Sequence, residues 1–394
     1  MSLPRRLLLA VLALVGLGTA SAIAEDSGTS RVERGTERAS VPEVAPAATD
    51  SILVVSAKER ALVVQDPTTG ERSASFMVGI SPNAVAVSPD GRTAVVTNRG
   101  ERISGSTICV VDLHATDLVR RIPLEVQTKN PDRSVALRSY HRPSGVAFLR
   151  SGRRVLVTCA IEGALLKVDL VDARVIGHVE LEAEGSQEVV VDHDGAYAYV
   201  ANRESGTVSV IELERMRLVR NIDAGGGPHG MALHPFADEI WVTNAYTNSI
   251  SIIDLETRNE RTEFACGAMP MDVCFTPDGA HALVTNMQEG NVSVFDAKTL
   301  QIERLIELDR VSEDRARTRP VGMPGRFGLS PLPTQVLAHP DGGLAWISTR
   351  RDDRLHVVDT STWAVVTSHD APHAPDDLGW SRVSTVPAPA ADGH

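Results

Sequence analysis

The sequence predicts an all-β fold, a seven-bladed β-propeller, because one segment recurs seven times along the chain and each copy is built of short strands. The four clearest copies read VVTNRGERISGSTICVVDL, YVANRESGTVSVIEL, WVTNAYTNSISIIDL and LVTNMQEGNVSVFDA, starting at Val95, Tyr199, Trp241 and Leu283. The repeat step is about 42 residues, longer at two places. This is the period of a propeller blade with four strands.

Two spacings order the parts of each repeat. A turn glycine lies seven residues before the end of the next strand, as in Gly195 and Asn202, and an acidic residue follows ten residues later, as at Glu212. Apolar residues between these points alternate or form short runs, bounded by Pro-Asp-Gly or Asn-rich turns. This pattern indicates strands, and no segment has the spacing of an amphipathic helix. We interpret the repeated Asn98, Asn202, Asn244 and Asn286 as turn residues.

The two ends of the repeat region complement each other. The first copy opens at Ser51 on its second strand and lacks the segment that should precede it, whereas residues 374–381 match residues 81–88 at the start of the next copy. We therefore expect the C-terminal segment to be the inner strand of a blade whose other three strands are N-terminal. Such pairing removes an open sheet edge.

Val-Thr-Asn followed by a strand of the Val-Ser-Val-Ile-Asp type resembles the motif of the YVTN-repeat β-propellers, found in archaeal surface-layer proteins and bacterial periplasmic proteins. The resemblance covers residues 51 to about 385. It implies the fold but no single activity, because related seven-bladed propellers include lactone hydrolases, haem-d1 domains, the nitrous oxide reductase propeller and binding modules.

The segments outside the repeats predict an exported protein. Arg5 and Arg6 precede an apolar run at residues 7–17, and small residues follow at Ala20, Ala22 and Ala24, so residues 1–24 have the parts of a signal peptide. Residues 25–50 resemble a disordered linker, residues 51–386 form the propeller and residues 387–394 a tail. The prediction is a periplasmic or secreted protein with no membrane span after cleavage of the signal.

Four cysteines occupy four different repeat positions, which favours buried small side chains over disulfides. Without a Cys-x-x-Cys-His motif, covalent haem is excluded.

Repeat phase predicts which residues share the mouth of the central channel. The loop that enters each inner strand and the loop after each second strand open on the same side of a propeller. The entry positions are Asn83, Ser144, Gln187, His229, Met271, Thr334 and Asp376, and next to them lie Glu188, Asp272, Gln335 and Asp377.

Positive charge is expected around this mouth. The formal net charge of −12 becomes −14 once Arg5 and Arg6 leave, yet insertions at residues 125–142 and 308–333 are each net +2 and precede inner strands. A basic rim on an acidic body attracts anions, and arginine binds carboxylate or phosphate through paired hydrogen bonds. The alternative is that these arginines are solvated surface charge. The predicted ligand-binding residues are Asn83, Arg142, Gln187, Arg203, Arg317, Arg319, Arg350 and Arg351.

Two groups of residues are candidates for catalysis or for metal binding. His229 is a candidate base, or a structural histidine that starts a strand; histidines are too few on this side for a copper site of the nitrous oxide reductase type. Glu188, Asp272 and Asp377 could hold a divalent cation such as Ca²⁺, or could bond their own backbone.

We predict a monomeric binding module that takes an anionic small molecule or a partner protein and requires no cofactor. The acidic chain, with only Tyr140 and Phe327 as aromatic residues in the insertions, disfavours nucleic acid. The alternative is a metal-assisted lactonase or esterase that uses His229. A structural module of the cell surface is a third possibility, disfavoured by the single copy and the lack of an anchor domain.

Overall fold

A computed structural model describes residues 50–115, 119–129, 134–319 and 326–382 of the chain. The predicted signal peptide, the linker up to residue 49 and the tail lie outside them. The described chain forms seven four-stranded antiparallel sheets, one separate two-stranded hairpin and one short helix. The expected seven-bladed propeller is therefore confirmed.

The first strands are β1 (Ser51–Ser56), β2 (Ala61–Gln65) and β3 (Arg72–Met77) in blade 1, β4 (Pro82–Val87), β5 (Thr93–Gly100), β6 (Ser104–Asp112) and β7 (Val119–Pro123) in blade 2, and β8 (Glu125–Lys129) and β9 (Val135–Ser139) in the hairpin. Blades 3 and 4 comprise β10 (Pro143–Phe148), β11 (Arg154–Cys159), β12 (Ala164–Asp169), β13 (Arg174–Glu180), β14 (Ser186–Val191), β15 (Tyr197–Asn202), β16 (Thr207–Glu212) and β17 (Arg217–Asp223).

Blades 5 and 6 comprise β18 (Pro228–Leu233), β19 (Glu239–Asn244), β20 (Ser249–Asp254), β21 (Asn259–Ala265), β22 (Pro270–Phe275), β23 (His281–Asn286), β24 (Asn291–Asp296) and β25 (Ile302–Glu307). The helix α1 (Glu313–Thr318) precedes blade 7, which comprises β26 (Pro333–Ala338), β27 (Leu344–Thr349), β28 (Arg354–Asp359) and β29 (Ala364–Asp370). The last strand is β30 (Pro375–Ser381).

Blade 1 closes the ring as the sequence predicts. Its sheet has the order β3-β2-β1-β30, and β30 runs antiparallel to β1, with Ile52 opposite Trp380 and Val54 opposite Leu378. The C-terminal strand thus covers the edge that β1 would otherwise expose.

Apolar side chains pack between neighbouring blades. Seven clusters of buried residues each join two adjacent sheets; one contains Ile52 and Val54 of blade 1 together with Trp346 and Leu355 of blade 7. Strands with both faces covered read as apolar runs, which explains the uninterrupted Ile-Leu-Val-Val of β1.

The motif threonine joins adjacent blades. Thr243 Oγ1 accepts a hydrogen bond from the N–H of Gly230 at 2.9 Å and donates to the carbonyl of Met271, in the next blade, at 3.0 Å. Thr97, Thr158 and Thr285 make the same pair of bonds in their blades.

The motif asparagines are buried strand residues, so their interpretation as turn residues is corrected. Asn244 ends β19, and its amide donates to the hydroxyls of Ser249 and Ser251 on β20 at 3.2 and 2.8 Å. Asn202 and Asn286 bond the residues five and seven positions later in the same way. They stabilise the hairpin between the second and third strands of a blade.

The two insertions are ordered over their described residues and differ in position. Strands β8 and β9 of the first pair with each other and pack beside β13, where Arg138 forms an ion pair with Glu180 at 3.0 Å. In the second, Phe327 and Leu332 pack on Met269, Met271 and Met287 near the inner end of blade 6.

All four cysteines are free, and Cys109 and Cys159 are buried. None of the described residues forms a helix of the length and apolarity needed to cross a bilayer.

Candidate functional site

A cavity of about 150 Å³ lies where the seven inner strands begin, and we call it the channel mouth. It is lined by Asn83, Ala84, Arg99, Ser144, Gly145, Gln187, Glu188, Arg203, His229, Met271, Thr334, Gln335, Arg350, Asp376 and Asp377. All seven entry positions expected from repeat phase are among these residues. The structure therefore brings together one residue or more from every blade.

A β-bulge at the start of each inner strand explains why consecutive residues line the same cavity. Side chains alternate between the faces of a regular strand, so Gln187 and Glu188 should point apart. The pairing of β14 with β15 shifts between Ser186 and Val189, and the other inner strands shift at the same place. Such a bulge re-aims side chains.

The chain also turns sharply just before each bulge. The residue preceding each inner strand has a positive φ, and five of the seven are not glycine: Ser81, Arg142, Met269, Leu332 and Ala374. Non-glycine residues rarely adopt this left-handed conformation. The mouth is thus built on a backbone geometry that the surrounding sheet imposes.

Three arginines form the upper layer of the mouth. Arg203 and Arg350 directly follow β15 and β27, and Arg99, at the same repeat position, lies next to the last residue of β5. Arg350 is paired with Asp376 at 3.0 Å. Arg203 donates through Nε to the hydroxyl of Tyr246 at 3.1 Å, and its guanidinium lies 5.2 Å from the centre of that ring.

Arg99 forms no ion pair with another described residue. It donates to Asn83 Oδ1 at 3.3 Å, while its buried Nε has no hydrogen-bond partner among the described residues. Burial, followed by the charges of Arg142 and Arg203, lowers the pKa of Arg99 to about 10. An anion in the cavity would relieve this repulsion and could accept the free N–H.

The carboxyl groups of Glu188, Asp272 and Asp377 lie at the bulges of the inner strands, and we call them the lower layer. Asp377 accepts backbone N–H groups of Val85 at 2.7 Å and Leu378 at 2.8 Å. Asp272, which does not line the cavity itself, accepts the N–H of Val336 at 3.0 Å. Glu188 accepts the N–H of Val189 at 3.2 Å.

These carboxyl groups hold their protons unusually strongly. Burial and the charge of Asp272 raise the pKa of Glu188 to about 8, and burial raises the pKa of Asp272 to about 7. Burial and the charge of Glu188 raise the pKa of Asp377 well above its ordinary value. Desolvation and mutual repulsion both favour the neutral form.

His229 joins two inner strands. Its Nδ1 lies 3.0 Å from the carbonyl of Met271, which can only accept, so Nδ1 carries the proton. Burial and then the charge of Arg203 lower the pKa of His229 to about 3. At neutral pH it is an uncharged imidazole and a weak base, and its catalytic role stays a prediction.

The remaining predicted arginines lie away from the channel mouth. Arg142 lines an adjacent cavity of about 510 Å³ together with Arg99, Gln187 and Arg203. Arg319 pairs with Asp353, and Arg317 is exposed and pairs with Asp314 at 3.5 Å.

Arg351 is buried and donates to the carbonyls of Gly328 and Ser330, both at 2.9 Å. The structure thus gives Arg319 and Arg351 contacts that hold the second insertion.

Arg99 is a mouth residue absent from the predicted ligand set. It follows Asn98 as Arg203 follows Asn202 and as Arg350 follows Thr349, so repeat phase contains the signal that identifies it.

No described group of three or more His, Cys, Asp or Glu side chains is arranged to hold a metal ion. The Ca²⁺ site at Glu188, Asp272 and Asp377 stays a prediction.

No family model and no curated protein matches the chain, so the resemblance to the YVTN-repeat family stays an expectation. Among solved structures, a functionally unknown protein from Desulfotomaculum acetoxidans DSM 771 is similar, with a TM-score of 0.65 and 14% identity over 84% of this chain and 98% of that chain. Hydrazine synthase of Kuenenia stuttgartiensis is similar with a TM-score of 0.58 and 16% identity, over 76% of this chain and 89% of that chain. At these identities the likeness shows a shared propeller fold and no shared activity.

Proposed function

We propose that this propeller binds a small anion at the channel mouth and acts as a binding module without chemistry of its own. The observation that carries the proposal is the convergence of Arg99 and Arg203 on one cavity, where their hydrogen bonds to other described side chains go to the neutral groups of Asn83 and Tyr246. Two guanidinium groups can hold a carboxylate or phosphate through several parallel hydrogen bonds.

The surroundings support an anion of limited size. Asn83, Ser144 and Gln187 add neutral polar groups to the same cavity. A volume of about 150 Å³ is below the roughly 300–1,000 Å³ of pockets that bury drug-sized ligands. We therefore favour an anion of a few heavy atoms over a protein partner as the occupant of the channel mouth itself.

The proposed function includes a location outside the cytoplasm. We propose that the chain works in the periplasm or outside the cell, on the basis of the sequence of residues 1–24.

A thermal-shift series tests anion binding. Phosphate, sulfate, acetate and succinate are added at low ionic strength to the wild type, to Arg99→Gln and to Arg304→Gln, a matched loss of one charge on the exposed face of β25. We expect at least one anion to stabilise the wild type and R304Q but not R99Q. Equal shifts in all three proteins would refute binding at the mouth.

A further inference from the structure

The channel mouth separates positive from negative charge by depth. Arg99 and Arg203 occupy the rim, at the ends of the second strands, while Glu188 and Asp377 lie at the bulges of the inner strands. The backbone N–H of Arg203 bonds the carbonyl of Gly185, three residues before Glu188, and the N–H of Arg99 bonds the carbonyl of Ser81 at the same place in blade 2. The arginine backbones therefore lie nearer the channel entrance than the bulges do. A ligand inside the cavity therefore meets guanidinium groups on one side and carboxyl groups on the other.

The lower layer lacks a cation. The hydrogen bonds that Glu188, Asp272 and Asp377 accept come from backbone N–H groups of the inner strands. The charged groups that act on them are one another, since Asp272 acts on Glu188, and both act on Asp377. Glu188 and Asp377 line the cavity and Asp272 lies beside it. A positive group placed against them would favour their ionised form and be attracted by it, an interaction that a simple anion cannot make.

We propose that the ligand is a small zwitterion, an amino carboxylic acid whose carboxylate lies between Arg99 and Arg203 and whose ammonium group lies against Glu188 and Asp377. The position of the carboxylate rests on the proposed function, and the position of the ammonium group rests on the lower layer. One molecule then places a negative group against the arginines and a positive group against the carboxyl groups.

Size and hydrogen-bonding capacity agree with such a ligand. A cavity of about 150 Å³ holds several water molecules and has room for a short amino acid. An ammonium group donates three hydrogen bonds and accepts none, which suits oxygen atoms that already accept backbone N–H groups. Neutral His229 and Gln335 line the same cavity without adding charge.

Binding of the ammonium group should release protons. Glu188 has a pKa raised to about 8 and faces Asp272 and Asp377, while His229 stays neutral above its pKa of about 3. A cation beside Glu188 favours its ionised form. At pH 7 the ligand therefore displaces protons into the buffer, and affinity rises as the pH rises from 6 to 8.

Calorimetry with two near-isosteric probes tests the inference. 4-Aminobutanoate and pentanoate differ in an ammonium group that replaces a methyl group. Each is titrated into the wild type, Glu188→Gln/Asp377→Asn and Arg99→Gln/Arg203→Gln, in HEPES and in Tris at pH 7. Succinate serves as the reference anion and CaCl₂ as the reference cation, and circular dichroism checks the fold of each variant. If the double carboxyl variant does not fold, Glu188→Gln alone replaces it.

We expect the wild type to bind 4-aminobutanoate at least tenfold more tightly than pentanoate, with a heat that depends on the buffer. The E188Q/D377N variant should lose this preference and the proton release but keep its affinity for pentanoate, whereas R99Q/R203Q should bind both probes weakly.

Equal affinity for the two probes, or a preference that survives in E188Q/D377N, would overturn the zwitterion inference while succinate binding still upheld the proposed function. Displacement of 4-aminobutanoate by CaCl₂ alone would assign the carboxyl layer to a metal ion and would also overturn it. Absence of binding by every anion would overturn the proposed function together with the inference.

Discussion

Thr243 shows how one residue type of the repeat links neighbouring blades. Its hydroxyl satisfies the N–H that the bulge of β18 frees at Gly230 and the carbonyl of Met271 in blade 6. A buried polar group that loses its partner costs about 1–3 kcal/mol, and two are affected here. The Thr of the Val-Thr-Asn motif therefore stabilises the bulge where it is present, although blade 4 forms the same bulge with Ala201 at this position.

Thr243→Val should lower the free energy of unfolding by about 2 kcal/mol, because valine fills the same space without the two hydrogen bonds. Urea denaturation measures the change. Thr367→Val, on the exposed outer strand β29, is the matched control and should change stability by less than about 0.5 kcal/mol. Equal effects of the two substitutions would show that the motif hydroxyl contributes nothing specific.

Glu188 should make stability depend on pH. Its pKa is about 8 in the folded chain against an ordinary value of 4.5, so between these values the unfolded state releases a proton that the folded state keeps. Stability therefore falls as the pH rises from about 4.5 to about 8.

Glu188→Gln removes this loss of stability and should raise the free energy of unfolding at pH 8 by about 1–3 kcal/mol. This is less than the about 1.4 kcal/mol per pKa unit that the shift implies, because the channel admits solvent. Melting temperatures of E188Q and of Glu307→Gln, an exposed control on β25, are compared with the wild type at pH 4 and pH 8. A gain at pH 4 as large as at pH 8 would contradict the raised pKa.

Buried groups hold the part of the second insertion that the structure describes after residue 325. Arg351 donates to the carbonyls of Gly328 and Ser330, and Phe327 and Leu332 pack on methionines of blade 6. The positive charge in and near this segment predicts an anion-binding surface. The side chain of Arg351, however, is buried against backbone carbonyls of the segment.

Arg351→Ala should destabilise the protein by about 2 kcal/mol, since hydrogen bonds from a charged group contribute about 1.5–3 kcal/mol. Hydrogen exchange should speed up at residues 326–332 and remain unchanged at the blades. Arg354→Ala, which breaks an exposed pair with Asp370, is the control and should cost about 0.5 kcal/mol or less. Unchanged exchange at residues 326–332 in R351A would remove Arg351 as the anchor.

The strands and their blades were predictable because each blade buries both faces and so repeats one pattern of apolar residues. Repeat phase also predicts the seven entry positions of the channel mouth. Repeat phase also places Glu188 beside Gln187 at the mouth, but it does not predict the bulge that lets both side chains line one cavity, because no residue type marks it. The placement of the first insertion beside β13 depends on contacts such as Arg138 with Glu180, which no local pattern encodes.

The whole molecule depends on one closure between its two ends. Leu378 on β30 is buried in the cluster that contains Ile52 and Val54 of blade 1 and Trp346 of blade 7. Because each blade packs only on its two neighbours, a defect at this interface weakens the ring as a unit.

Leu378→Ala should cost about 2–4 kcal/mol through the cavity it leaves and should lower the melting temperature in a single transition. Leu305→Ala, at a position that is half exposed on β25, should leave the melting temperature nearly unchanged. A separate transition at lower temperature in L378A, with the other blades still folded, would show that the ring does not unfold as one cooperative unit.

The measurement that tests the central claim most directly is calorimetric titration of succinate into the wild type and into Arg99→Gln/Arg203→Gln at low ionic strength. These two side chains are expected to bind an anion at the channel mouth. We expect saturable binding with one site per chain in the wild type and at least tenfold weaker binding in the variant. Absence of binding to the wild type, or equal affinity in both proteins, would contradict the account.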